Sequence, residues 1–177
     1  MPWRNVTDPH YPSVTSPNPD YLRGAPEHLH RSRRAYISHC MDTPLELPAN
    51  ARLALSYLAS FDTGDPQLIA EHLSADFVND HASALGSPSR GRDEYQRRLP
   101  EFLASMPGLR YEAGVPIVDG LRVAVQYTLH AMGTSVDGGQ VPITVRGVML
   151  LRVEGGLIAE RLDVWDSLGY LRQLGQT

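Results

Sequence analysis

Between residues 109 and 166 the apolar side chains recur with a period close to two. The run is cut three times by turn chemistry, at Asp119-Gly120, Asp137-Gly138-Gly139 and Glu154-Gly155-Gly156. Period two is the signature of a strand, and short Gly-containing breaks join antiparallel neighbours. The stretches 109–118, 121–132, 141–153 and 157–166 therefore read as four consecutive strands of an antiparallel meander. Such a sheet has one face to cover, so whatever lies upstream must supply the cover.

The upstream segments have helical period. In residues 49–61, Ala54, Tyr57, Leu58 and Phe61 make one apolar stripe, and Asn50 is placed to cap the start. Asp62-Thr63-Gly64 stops this helix. Asp65-Pro66 starts another, with Leu68, Ile69 and Leu73 on its buried side. Residues 76–81 read as a short strand ending at His81, and 86–92 as a polar loop. A third helix covers 93–105, with Tyr95, Leu99, Phe102 and Leu103 inward and Pro100 expected to kink or split it. A short helix, 167–174, follows the last strand. The expected fold is α+β: a curved antiparallel sheet wrapped by three helices into a cone with an internal pocket.

Residues 1–48 have a different character. They hold eight of the 14 prolines and four of the seven histidines. Pro9, Pro12, Pro17, Pro19 and Pro26 forbid a continuous helix, although residues 27–39 allow a short one. The segment is expected to be an extended arm separate from a domain at 49–177. It is either disordered or, as Trp3, Tyr11, Tyr21 and Tyr36 favour, draped over its own domain or a second subunit. His28, His30, His39 and Cys40 match no standard ligand spacing, so no metal is expected.

Composition removes several functions. All 16 basic residues are arginine, which excludes a Schiff-base lysine, a lysine base and the usual P-loop. A formal charge of −4 gives no general attraction to nucleic acid or an anionic membrane. With a single cysteine, no apolar leader and no long apolar run, the chain reads as cytoplasmic.

One stretch carries a chemical signal. Along 157–166, Arg161, Asp163 and Trp165 share a strand face, opposite Glu160, Leu162, Val164 and Asp166. A plain core face lacks the carboxylate and a solvent face lacks the tryptophan, so the face reads as a pocket wall. Desolvation makes such a carboxylate a stronger base, which suits Asp163 to proton transfer; the plainer alternative is a strand carboxylate paired with arginine. His130 lies on the polar Gln126-Thr128-His130 face of its strand. It can orient Asp163 or polarise a carbonyl if that face is inside, and does nothing if it meets water. Tyr57 can present a phenol to a substrate oxygen or act as a core aromatic. Arg146 can pair with Asp163 or a substrate acid, or stand exposed. Trp165 supplies a flat apolar wall.

The ordered blocks now support a resemblance. Phe61-Asp62-Thr63-Gly64-Asp65, Asp76-Phe77-Val78-Asn79-Asp80-His81, Gly91-Arg92-Asp93-Glu94-Tyr95 and Met106-Pro107-Gly108 come first. Val145-Arg146-Gly147-Val148, Arg152-Val153-Glu154-Gly155-Gly156 and Asp163-Val164-Trp165-Asp166 follow. Together, over about residues 49–175, they resemble the SnoaL-like polyketide cyclases, within the nuclear transport factor 2-like fold. Leu162 departs from the tryptophan that often precedes the aspartate in that family, but on the opposite face. The resemblance implies that Asp163 is the pocket acid/base, that His81 is a possible partner, that no cofactor is needed and that the protein pairs as a homodimer. It implies proton transfer next to a carbonyl of an apolar, polycyclic or polyketide-like substrate, by aldol cyclisation or isomerisation. The alternatives are a non-catalytic ligand-binding or dimerisation module, and an epoxide or lactone hydrolase in which Asp163 activates water. Against the epoxide mechanism, 125–130 lacks the Arg-x-Asp pair used by the epoxide hydrolases of this fold.

Overall fold

Pro48 opens helix α1 (Ala49–Ser60), and no side chain caps it. Asn50 lies inside the first turn and donates instead to the Gly120 carbonyl at 3.0 Å, which corrects its expected capping role. The stripe of Ala54, Tyr57, Leu58 and Phe61 is almost wholly buried. A 3-10 turn over Phe61–Thr63 ends at Gly64, whose φ of 65° is easy only for glycine. Asp65 then caps α2 (Pro66–Ala70) by accepting from the Gln67 N–H at 2.8 Å. The computed structural model describes residues 47–176, so the expected arm and its histidines lie outside the described residues.

Helix α2 is shorter than its apolar pattern suggests. Leu73 is buried, but as the first residue of β1 (Leu73–His81) rather than on the helix. β2 (Ser89–Arg90) pairs antiparallel with β1. Helix α3 (Arg92–Ser105) contains Pro100 and is not split by it.

The first expected strand of the meander divides at Gly114-Val115-Pro116. β3 (Arg110–Ala113) and β4 (Ile117–Asp119) both pair with β5 (Arg122–Thr134), one after the other. Proline has no N–H for a ladder, which accounts for the break. β6 (Gln140–Glu154) and β7 (Leu157–Trp165) complete the hairpins, and α4 (Ser167–Gln173) follows, capped by Asp166 at 2.8 Å from the Gly169 N–H.

The strands form one curved, unclosed seven-stranded sheet in the order β2-β1-β7-β6-β5-β3, with β4 also on β5. β1 pairs with β7 in parallel, the last strand being brought beside the first. That pairing sets His81 opposite Asp163 and Asn79 opposite Arg161. The β6–β7 register shifts at Ala159: Arg152 faces Glu160, yet Val153 faces Ile158. The bulge turns Ile158 inward on one side and Arg161, Asp163 and Trp165 inward on the other. The covered face of β5 is Val123, Val125, Tyr127, Leu129 and Ala131; β6 adds Ile143, Val145, Met149, Leu151 and Val153.

Candidate active site

The covered side of the sheet holds a cavity of about 660 Å³, in the range of small-molecule sites. One wall is apolar: Leu99, Phe102, Met106, Tyr111, Leu129 and Val145. The part of the lining that comes from β1, β2 and β7 carries Asn79, His81, Ser89, Arg161, Asp163 and Trp165. Among the described residues, no group of His, Cys, Asp and Glu is placed to hold a metal ion.

Asp163 and Arg161 are 5% and 6% exposed. Tyr127 donates its hydroxyl to Asp163 Oδ1 at 2.7 Å. Arg161 Nη2 stands 3.7 Å from Asp163 Oδ2, an ion pair too long for a hydrogen bond. Among the described residues Oδ2 accepts no hydrogen bond, so one carboxylate oxygen is held and the other is open. The backbone carbonyl of Asp163 also accepts from the Ala82 N–H at 3.0 Å, which fixes the strand position.

Arg161 is held by aromatic hydroxyls. Its Nη1 donates to Tyr57 Oη at 2.9 Å and Tyr95 Oη at 3.1 Å, and those oxygens lie 3.0 Å apart. Its guanidinium also sits 5.6 Å from the centre of the Tyr95 ring. Burial by itself favours the uncharged arginine. The Tyr57 and Tyr95 oxygens and Asp163 outweigh it and hold the proton more tightly than usual. Burial raises the phenol of Tyr127 well above its ordinary value, and the Asp163 charge adds to this, so Tyr127 remains a donor.

Gly147 makes the Tyr127–Asp163 bond possible. It pairs with Tyr127 on β5 and with Trp165 on β7, between the two partners. A Cβ at Gly147 collides with the Tyr127 hydroxyl and comes within 2.8 Å of the Val164 carbonyl. Gly147→Ala is expected to break the 2.7 Å bond and to cost about 1–3 kcal/mol through crowding and a displaced polar group. Urea denaturation measures the cost. If the Gly147→Ala and Tyr127→Phe effects add fully in the double variant, Gly147 does not act through this bond.

His81 lies on the cavity wall with Nε2 3.1 Å from Asn79 Nδ2. Burial lowers its pKa, the Arg161 charge lowers it further, and Asp163 and Asp80 oppose them. The folded state thus binds fewer protons than the unfolded chain once pH falls below the ordinary histidine value, near 6.5. The His81 contribution to stability is present above that pH and is lost as pH falls through the lowered folded value. Stability is expected to decline from pH 7 to 5 more steeply in the natural protein than in His81→Gln; equal slopes in the two proteins contradict this.

Other expected residues lie elsewhere. His130 is on the outer face of β5, with Nε2 3.3 Å from Glu112 Oε2 and Nδ1 3.4 Å from Thr144 Oγ1. The expectation that it reaches Asp163 is corrected, because the polar face of β5 is the solvent side. Arg146 is exposed on the outer face of β6 and pairs with neither Asp163 nor the cavity. Tyr57 is fully buried behind Arg161 and does not line the cavity, so its phenol serves the arginine. Trp165 does line it, edge-on to Tyr170 with ring centres 5.8 Å apart.

Sequence reading passed over Tyr127 and Asn79 and took Tyr95 as a core contact. Tyr127 sits among Val125, Leu129 and Ala131, a face that looks like plain core. The available signal was its hydroxyl, which needs a partner when buried.

An open curved sheet covered by helices, with a buried carboxylate on the inner wall, defines a cavity protein of the ketosteroid isomerase-like fold. Solved structures bear this out. A protein from Catenulispora acidiphila of that fold, solved with trimethylamine, has a TM-score of 0.63 and 18% identity, over 76% of this chain and 96% of its own. A protein from Shewanella denitrificans assigned to the SnoaL-like polyketide cyclases gives 0.66 and 19%, over 74% and 100%. TerC, crystallised with polyporic acid, gives 0.62 and 21%, over 72% and 99%. No curated protein matches the sequence. The family model of the SnoaL-like polyketide cyclases matches residues 51–174, and the chain belongs to that family.

Proposed function

We propose that the protein is a cofactor-free enzyme that moves a proton next to a carbonyl of an apolar, polycyclic or polyketide-like substrate. The carrying observation is the state of Asp163: buried on a cavity wall, with Oδ1 held by Tyr127 and Oδ2 open. In this reading Oδ2 removes a proton from the carbon beside the carbonyl, and the resulting enolate oxygen is met by Arg161. For ring closure the enolate carbon bonds to a second carbonyl carbon, and the new alkoxide takes the proton back from Asp163. For isomerisation the proton returns to a different carbon. Neither route changes the oxidation state overall, so neither requires a redox cofactor. The family and the apolar wall support the substrate class. A neighbour crystallised with polyporic acid is compatible with it.

The test is solvent deuterium exchange. Incubated with 1-tetralone in deuterated buffer, the protein should place deuterium beside the carbonyl faster than buffer alone, as read by mass spectrometry. Exchange no faster than buffer sinks the proposed reaction.

The Arg161–Asp163 ion pair favours a second reading, a ligand-binding module in which Asp163 only balances charge. That reading predicts ligand binding with no exchange. Under either reading a cytoplasmic homodimer is proposed, paired through the outer sheet face. There Val148 faces Val164 and Leu150 faces Leu162, and Leu150 and Val164 are exposed. Among the described residues no helix is long and apolar enough to cross a membrane.

A further inference from the structure

Strand β3 turns one tyrosine inward. Arg110 and Glu112 are exposed on its outer face, where Arg110 Nη1 donates to Glu112 Oε1 at 2.6 Å. Alternation therefore places Tyr111 on the covered side, opposite Leu129 of β5. Its ring stands edge-on to Phe61 and to Tyr127, with centres 5.2 and 5.1 Å away. These contacts hold the ring without using its hydroxyl.

Tyr57, Tyr95 and Tyr127 spend their hydroxyls on the Arg161–Asp163 pair. The Tyr111 hydroxyl has no hydrogen-bond partner among the described residues, and the residue lines the cavity. It is also within reach of a ligand. Arg161 Nε and the unpaired atoms of Asn79, His81 and Ser89 have almost no accessible surface, whereas Tyr111 Oη is not among the sealed atoms. Two further atoms share this unpaired yet reachable state: Asp163 Oδ2 and Arg161 Nη2. Trp165 and Tyr170 bring donors to the cavity too, but their rings pack on each other, whereas Tyr111 packs on the ring that holds Asp163.

The open atoms differ in chemistry. Asp163 Oδ2 accepts, and Arg161 Nη2 brings positive charge. Burial raises the Tyr111 phenol far above its ordinary value, and the Asp163 charge raises it further against the opposing effect of Arg161. Tyr111 thus stays protonated and donates, and both charges are close enough to act on its oxygen. A donor already in place, with no protein partner to give up, is what a developing oxyanion needs in a site that excludes water.

We propose that Tyr111 is a further catalytic residue, whose hydroxyl donates a hydrogen bond to the substrate carbonyl oxygen and holds the enolate formed when Asp163 Oδ2 takes the neighbouring proton. Tyr111 keeps its own proton throughout; its hydrogen bond strengthens as negative charge reaches the oxygen. In the sheet, β6 and β5 lie between β7 and β3, so base and donor reach the substrate from different strands. The inference rests on the reaction proposed above, but the donor is testable without it.

Tyr111→Phe keeps the ring and removes a hydroxyl that no described residue uses, so the urea midpoint should not move. Deuterium exchange into 1-tetralone is expected to show kcat lowered about a hundredfold, with KM within about threefold. Lost packing alone would move the midpoint or KM instead. A second measurement leaves the reaction out. In mildly alkaline buffer 4-nitro-1-naphthol is an oxyanion on the two-ring skeleton of 1-tetralone, and absorbance titration follows its binding to Asp163→Asn, which has no carboxylate to repel it. Adding Tyr111→Phe should weaken that binding about tenfold or more, while 1-tetralone affinity changes by less than about threefold. Full kcat in Tyr111→Phe overturns the assignment, as does naphtholate binding that is absent or equal with and without the hydroxyl. No exchange in the natural protein, with naphtholate binding that depends on Tyr111, removes the proposed reaction and leaves the oxyanion donor. Exchange that Tyr111→Phe does not slow removes Tyr111 alone.

Discussion

Asp163→Asn is expected to leave the protein folded and to lower proton exchange by about two to four orders of magnitude, the usual worth of a positioned acid/base group. Asparagine has the shape of aspartate, and its amide oxygen still accepts from Tyr127. What disappears is the lone pair of an anionic oxygen facing the cavity. Tyr127→Phe provides the internal comparison: it leaves the carboxylate but frees it to rotate. Its effect is expected to be about tenfold to a hundredfold, smaller than that of Asp163→Asn, because it changes orientation rather than removing the base. Exchange rates measured at several pH values separate the two variants. Asp163→Asn with undiminished exchange would falsify the assignment of the base. Affinities of both variants for 1-tetralone equal to that of the natural protein show that binding itself is intact.

Arg161→Met should cost the fold about 3–5 kcal/mol, the usual result of breaking a buried ion pair from one side. The methionine fills much of the volume but donates nothing. Asp163, 5% exposed, loses its countercharge, and the Tyr57 and Tyr95 hydroxyls lose their shared donor. The reverse change, Asp163→Asn, costs less, because Arg161 keeps both tyrosine oxygens and the Tyr95 ring. The Arg161→Met, Asp163→Asn double variant should be less destabilised than the sum of the single variants by at least about 1 kcal/mol. Urea unfolding at pH 7 measures all three. Additive losses mean that the 3.7 Å pair carries no interaction and that the tyrosines alone hold the arginine.

Both experiments turn on residues that were unequally visible before folding. Asp163 and Trp165 were legible because they interrupt the aliphatic pattern of a strand with groups that neither core nor surface favours together. His130 was misread from a sound observation. Alternation separates the two faces of β5 correctly, but the polar face meets Glu112 and solvent, and the face that looked like plain core carries Tyr127. Tyr57 was placed correctly on a buried stripe, yet its hydroxyl serves Arg161 rather than a ligand.

By itself the sequence determined the local elements: the meander from its turn glycines and period, the Asp65-Pro66 helix start, and the shared face of Arg161, Asp163 and Trp165. These depend on interactions within a few residues, which the order of side chains encodes directly. The tertiary structure alone decided the parallel union of β1 with β7, which sets His81 beside Asp163 and Asn79 beside Arg161. It also decided the bulge at Ala159 and the reach of Tyr127 across Gly147. Each is a pairing between segments far apart in the chain. A strand states which residues share a face, but only its partners and the helices above it decide which face is inside.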